Sequence, residues 1–188
     1  MGFDPTTLPA DLPVPTDDGA AGHLLGAVLP SVALPSTDGR LVDLGALPGR
    51  TVVYAYPRTG RPGEESLVSD WDAIPGARGC TPESCGFRDH FAELGALGVG
   101  VHGLSTQDSD YQREAVERLA LPFALLSDAE LRLTDALGLP TLKVAGQVLV
   151  RRLTLLVTDG VVEHVWYPVF PPDTHAEEVL SFLRGQSR

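Results

Sequence analysis

The chain alternates between short apolar runs and amphipathic stretches, and the order of these patterns sets the fold class. Residues 31–35 and 40–44 flank Asp38-Gly39, a pair suited to a tight turn, which predicts a β-hairpin. Thr51-Val52-Val53-Tyr54-Ala55-Tyr56 is almost continuously apolar and stops at Pro57, as a strand buried on both faces does. After the cysteines, Phe87, Phe91, Leu94 and Leu97 recur at helical spacing until Gly98, predicting one helix. Strand 99–104, helix 108–119, strand 123–126 and helix 129–137 follow. Residues 148–157 and 161–167 flank Asp159-Gly160 and predict a second hairpin. Thr174 and Glu177 form a capping box for a last helix with Val179, Leu180 and Leu183 on its apolar face. Strands alternate with helices and an antiparallel hairpin closes the series. The order predicts an α/β, three-layer α/β/α sandwich with a mixed central sheet and an N-terminal β-hairpin extension.

Two segments stand outside this pattern. Residues 1–27 are rich in Pro, Asp, Thr and Gly and are expected to form an N-terminal arm, with the domain proper at 28–188. Residues 58–79 form a 22-residue connection where about 2–6 residues are usual, so they are expected to be a functional insertion. Trp71 and Ile74 would anchor it.

The sequence has 188 residues, 43% of them apolar, which suits one domain with an ordinary core. The net charge of −11 speaks against a free-standing nucleic-acid binder. No run approaches the ~18 apolar residues of a membrane span, and the start lacks a basic region followed by an apolar one. The expected location is therefore cytoplasmic, with no nucleic-acid or membrane partner. Met1-Gly2-Phe3-Asp4-Pro5-Thr6 matches a loose myristoylation pattern.

Both cysteines fall in Gly79-Cys80-Thr81-Pro82-Glu83-Ser84-Cys85-Gly86-Phe87-Arg88-Asp89, at a helix start. Unpaired N–H groups and the positive helix end favour a thiolate there, so Cys80 is expected to be acidic. Arg78 would add positive charge, and Pro82 tolerates the first turns of a helix. On an intact helix, residues five apart lie roughly 8–9 Å apart, beyond the ~7 Å reach of a disulfide. Cys80 and Cys85 would bond only if those turns unwound, and an oxidised Cys80 would wait as a sulfenic acid.

Taken in order, the Tyr56-Pro57 strand end, the Gly-Cys-Thr-x-Glu-x-Cys-x-Phe-Arg-Asp segment and the late Arg152-Leu153-Thr154-Leu155 resemble the peroxiredoxins. The similarity is to the bacterioferritin-comigratory-protein or Q-type branch and runs from about residue 30 to 183. It implies a thioredoxin-like fold and a peroxidase acting on hydrogen peroxide or organic hydroperoxides. In that likeness Cys80 attacks the peroxide and Cys85 resolves it as an intramolecular disulfide. Arg152, with Arg151 as the alternative, activates the thiol. Pro57 shields the pocket. Thioredoxin or a similar dithiol reductant recycles the enzyme, which would be a monomer or weak homodimer. No metal or organic cofactor is implied.

The chain departs from the family in one place. The family's Pro-x-x-x-Thr-x-x-Cys motif is stretched here, because Pro57 and Cys80 are 23 residues apart. Ala77 stands where the peroxide-orienting Thr belongs, and Thr59 is the candidate replacement. Two other readings remain. The cysteines would be inert core thiols, or part of a copper-binding redox module completed by His90, His102, His164 or His175. Such modules in the thioredoxin fold use Cys-x-x-x-Cys.

Overall fold

The computed structural model describes residues 6–186, so most of the myristoylation pattern lies outside the described residues. The apolar run becomes β3 (Arg50–Ala55), the centre of a five-stranded sheet in the order β5-β4-β3-β8-β9. Strands β4 (Val99–Ser105) and β5 (Leu125–Ser127) extend it in parallel. Strands β8 (Leu153–Thr158) and β9 (Val161–Trp166) add antiparallel pairs on the other side.

Alternation along β3 divides the core. Val52 and Tyr54 join Leu156 and Trp166 on one face, under α1 (Cys80–Asp89), α2 (Phe91–Ala96), α3 (Ser109–Leu119) and α5 (His175–Gln186). Val53 and Ala55 join Leu153, Leu155 and Val157 on the other, under α4 (Arg132–Leu137) and chain from the first 44 residues. The mixed three-layer architecture is as expected. The N-terminal hairpin forms as β1 (Ala33–Pro35) and β2 (Leu41–Asp43).

Three details differ from the sequence pattern. The helix after the cysteines breaks at His90, whose φ of −100° and ψ of 6° leave the helical range and separate α1 from α2. Residues 148–157 are not one strand. They divide at Arg151-Arg152 into β7 (Gln147–Val150) and β8, and β7 pairs with β6 (Thr141–Val144) in a separate hairpin. That hairpin receives the insertion: Trp71 and Ala77 pack on Val144 and Leu149, with Leu67, Val68 and Ile74 around them. Within the N-terminal 27 residues, Leu24 is fully buried, and the Gly26 N–H donates to the Val162 carbonyl.

The register fixes the position of the site. Ala55, the last residue of β3, lies opposite Leu153, the first of β8. Pro57 and Arg152 therefore leave the sheet at the same end, and α1 begins above that end.

Candidate active site

Gly79 caps α1 with φ +110°, a conformation that glycine reaches without strain. A Cβ there would also collide with the Pro172 ring, so both backbone and packing call for glycine. This turn makes Cys80 the first helical residue, and the Glu83 N–H closes the first turn on the Gly79 carbonyl. The helix runs unbroken through Cys85, and both thiols are free.

Cys80 is 2% exposed and Arg152 3%. Arg152 Nη2 lies 3.1 Å from Cys80 Sγ and also donates to the carbonyls of Arg78 at 3.1 Å and Gly76 at 3.3 Å. These backbone acceptors hold the guanidinium plane against the thiol. Its Nη1 pairs with Glu83, which is fully buried. Of the two candidate arginines, Arg152 is thus the one at the sulfur. Arg151 turns outward to Asp18, at 3.0 Å.

The electrostatics correct one expectation. Burial is the largest influence on the Cys80 thiol and pushes its pKa up. Arg152 opposes the shift, the Glu83 carboxylate adds to it, and the Arg58 N–H favours the anion. In this closed arrangement burial, with the Glu83 carboxylate, holds the thiol above its usual range, against the acidic thiol expected from the helix start. Glu83 feels the same competition: burial lifts its carboxyl to about 7, against the pull of Arg152. Its Oε1 has no partner among the described residues, which adds to the cost of ionising it. Arg78, expected to add charge beside Cys80, lines the same cavity and also bonds the Thr7 carbonyl at 2.9 Å and approaches Asp72 at 3.4 Å.

A cavity of about 30 Å³ opens at the thiol, walled by Thr59, Cys80, Thr81 and Tyr111 and by the insertion's Leu67 and Trp71. Pro57 is buried but does not line it. Pro57 and Arg152 both line a second cavity of about 350 Å³. Cys85 is half-buried near Arg88 and Arg118, and burial raises its pKa as well. The helix that separates Cys80 and Cys85 keeps them unbonded. Among the described residues no three His, Cys, Asp or Glu side chains gather to hold a metal ion. His175 is committed to Thr154 at 2.9 Å and Glu178 at 3.0 Å, and His90 to Glu93.

The family resemblance pointed to Arg152 and Pro57 beside Cys80, and the structure brings Arg152 to the sulfur; Glu83 as the second partner of Arg152 was not foreseen. The spacing Cys80-x-x-Glu83, one helical turn, was the available signal. Gln107, which holds Thr59 in the cavity wall, was not foreseen either.

Known proteins give a consistent picture. The redoxin family profile matches residues 24–180. Peroxiredoxin Bcp of Escherichia coli is 32% identical over 164 residues, which span 85% of this chain and 94% of that protein. Chloroplastic peroxiredoxin Q of rice is 31% identical over 161 residues; the match covers 85% of this chain but 66% of the rice protein's length. Among solved structures, peroxidoxin BcpB of Mycobacterium tuberculosis superposes with a TM-score of 0.66 at 27% identity, over 86% of this chain and 96% of that one. A peroxiredoxin Q mutant of Xylella fastidiosa, at 20% identity, shares the fold with a TM-score of 0.69 over 87% and 97%. A free thiol under a buried guanidinium at a helix start, on a thioredoxin-like sheet, agrees with these likenesses: the chain belongs to the redoxin family, among the peroxiredoxins of the Q and Bcp type.

Proposed function

We propose that this chain is a thiol-dependent peroxidase in which Cys80 reduces hydrogen peroxide or an organic hydroperoxide. The observation that carries the reading is the 3.1 Å approach of Arg152 Nη2 to the sulfur of Cys80, a residue only 2% exposed, beside a small cavity. The reactive form is a Cys80 thiolate paired with Arg152 while Glu83 holds the proton, so one cation faces one anion.

The thiolate attacks one peroxide oxygen. A sulfur–oxygen bond forms as the oxygen–oxygen bond breaks, and the electron pair departs as hydroxide or alkoxide, which takes up a proton. The guanidinium and the N–H groups of the helix start stabilise that developing charge. Cys80 is left as a sulfenic acid. The first turns of α1 then unwind, and the Cys85 sulfur displaces the sulfenic oxygen as water, giving an intramolecular disulfide. A dithiol reductant of the thioredoxin class returns two electrons and restores both thiols. Pro57 lines the second cavity together with Arg152. A cytoplasmic setting suits the reaction, because thiols stay reduced there.

Cys80→Ser is expected to abolish peroxide turnover in a coupled dithiol assay. Cys85→Ser is expected to consume one equivalent of peroxide and stop. Multiple turnovers by Cys80→Ser would overturn the reading.

A further inference from the structure

The family's peroxide-orienting hydroxyl has lost its place here, because Ala77 stands three residues before Cys80. Of the hydroxyl-bearing residues that line the cavity, Thr59, Ser66, Thr81 and Tyr111, two are buried, Thr59 and Thr81. Thr59, the second residue of the insertion, is 1% exposed and lines the cavity together with Cys80. Thr81, next to Cys80 on α1, lines it too and is 2% exposed.

The bonding around Thr59 fixes the polarity of its hydroxyl. Gln107 Nε2 donates to the Thr59 carbonyl at 3.2 Å, and the Thr59 N–H donates to Gln107 Oε1 at 2.9 Å. This pair of backbone bonds admits only one orientation of the Gln107 amide. Thr59 Oγ1 is 3.1 Å from that same Oε1, which is an acceptor without a proton, so Thr59 must be the donor. Its oxygen lone pairs are then left for a hydrogen-bond donor. Gln107 is itself held, because the Ser127 hydroxyl donates to its carbonyl at 2.7 Å. Thr81 presents the opposite case: its buried Oγ1 has no partner among the described residues, and a buried hydroxyl left so is exceptional.

We propose that Thr59, positioned by Gln107, accepts the O–H of the peroxide, while Thr81 hydrogen-bonds the second peroxide oxygen. The inference rests on Cys80 as the peroxide-reducing thiol. A hydroperoxide has one O–H donor beside an acceptor oxygen, and the two threonines offer the complementary set. Thr59 and Thr81 thereby take over the task of the displaced family hydroxyl, and the insertion supplies a reacting-site residue instead of merely interrupting the motif.

The test compares single-turnover oxidation of Cys80 by hydrogen peroxide, followed through the fluorescence of Trp71 in the cavity wall, with alkylation of the same thiol by iodoacetamide. Alkylation reports thiolate availability without a peroxide to orient. Thr59→Val should lower the peroxide rate by roughly 10- to 100-fold, the scale of one lost hydrogen bond in a buried site, with the alkylation rate unchanged. Thr59→Ser should restore the peroxide rate. Thr81→Val, which leaves the Thr59–Gln107 bonds intact, should lower the peroxide rate independently and serves as the second arm if Thr59→Val does not fold. Peroxide rates in both Val variants equal to that of the unaltered protein would overturn the inference. So would equal losses of peroxide and alkylation rates. Absence of peroxide oxidation in the unaltered protein is a separate result that removes the peroxidase reading itself.

Discussion

The Arg152 guanidinium meets a carboxylate and a thiol at once. Glu83 and Cys80 thus compete for it. The raised Glu83 value of about 7 means the folded protein holds that proton more tightly than the unfolded chain, whose value is near 4.5. Between pH 4.5 and about 7 the unfolded state therefore binds fewer protons, and the Glu83 contribution to stability falls as pH rises. Glu83→Gln keeps a hydrogen-bond acceptor for Arg152 but removes the charge. It should flatten urea stability over that window. It should also move the midpoint of the iodoacetamide pH-rate profile to lower pH, because the guanidinium then serves the thiolate alone. A midpoint that stays or rises would contradict the competition. This coupling was hidden in the linear sequence for a physical reason. Glu83 at a helix start reads as a dipole partner, and only the close approach of α1 to the residue before β8 makes it a partner of Arg152. The placement of Cys80 and Cys85 on one helix was legible from local spacing, whereas the electrostatics of Cys80 were not, since they depend on burial.

At the scale of elements, the proposed resolution step requires α1 to hold Cys80 before oxidation and to release it afterwards. Phe87 stacks on Tyr54 with ring centroids 4.6 Å apart, anchoring the second half of α1 to β3. The Tyr54 hydroxyl donates to Ser84 Oγ at 3.0 Å, inside the segment that unwinds in the proposed resolution step. Tyr54→Phe removes that bond while keeping the ring stack. It should destabilise the fold by about 1–2 kcal/mol, the usual cost of leaving a buried hydroxyl unpaired. In stopped-flow experiments it should speed disulfide formation from the sulfenic acid by up to ~10-fold and leave the preceding peroxide step unchanged. A slower disulfide step would show that Tyr54 aids the unwinding instead of restraining it. The elements themselves were well marked in the sequence where apolar periodicity was strong, as in β3, β4 and α3. The break at His90 carried no glycine or proline to announce it. The β6–β7 hairpin was missed because Val148–Val157 reads as one apolar run, and only the turn at Arg151-Arg152 divides it. That division matters, since it frees Arg152 from the strand ladder to reach the thiol.

At the scale of the whole molecule, insertion and arm converge on one end of the sheet. Leu67 and Trp71 wall the thiol cavity, Arg78 ties the insertion to the Thr7 carbonyl, and Pro15 lies in van der Waals range of a Cβ placed on Gly76. This packing fits the proposal that the insertion covers the thiol; the length of the connection pointed to a functional segment, while its contacts with β6, β7 and the arm were not legible in the sequence. Shortening residues 62–70 to a brief Gly-Ser link, with Trp71 kept, should raise the ratio of bulky maleimide to iodoacetamide alkylation of Cys80 by roughly 10-fold, as expected for relief of a steric barrier of about 1.4 kcal/mol. An unchanged ratio would show that these residues do not shield the thiol.

The central claim is that Cys80 takes the oxygen and Cys85 resolves it within the same chain. Intact-mass and peptide-level mass spectrometry after one equivalent of peroxide, without reductant, tests it most directly. The expected result is a loss of two hydrogens confined to the one peptide that carries both Cys80 and Cys85, in monomeric protein. Unmodified Cys80, or an oxygen adduct confined to Cys85, would contradict it.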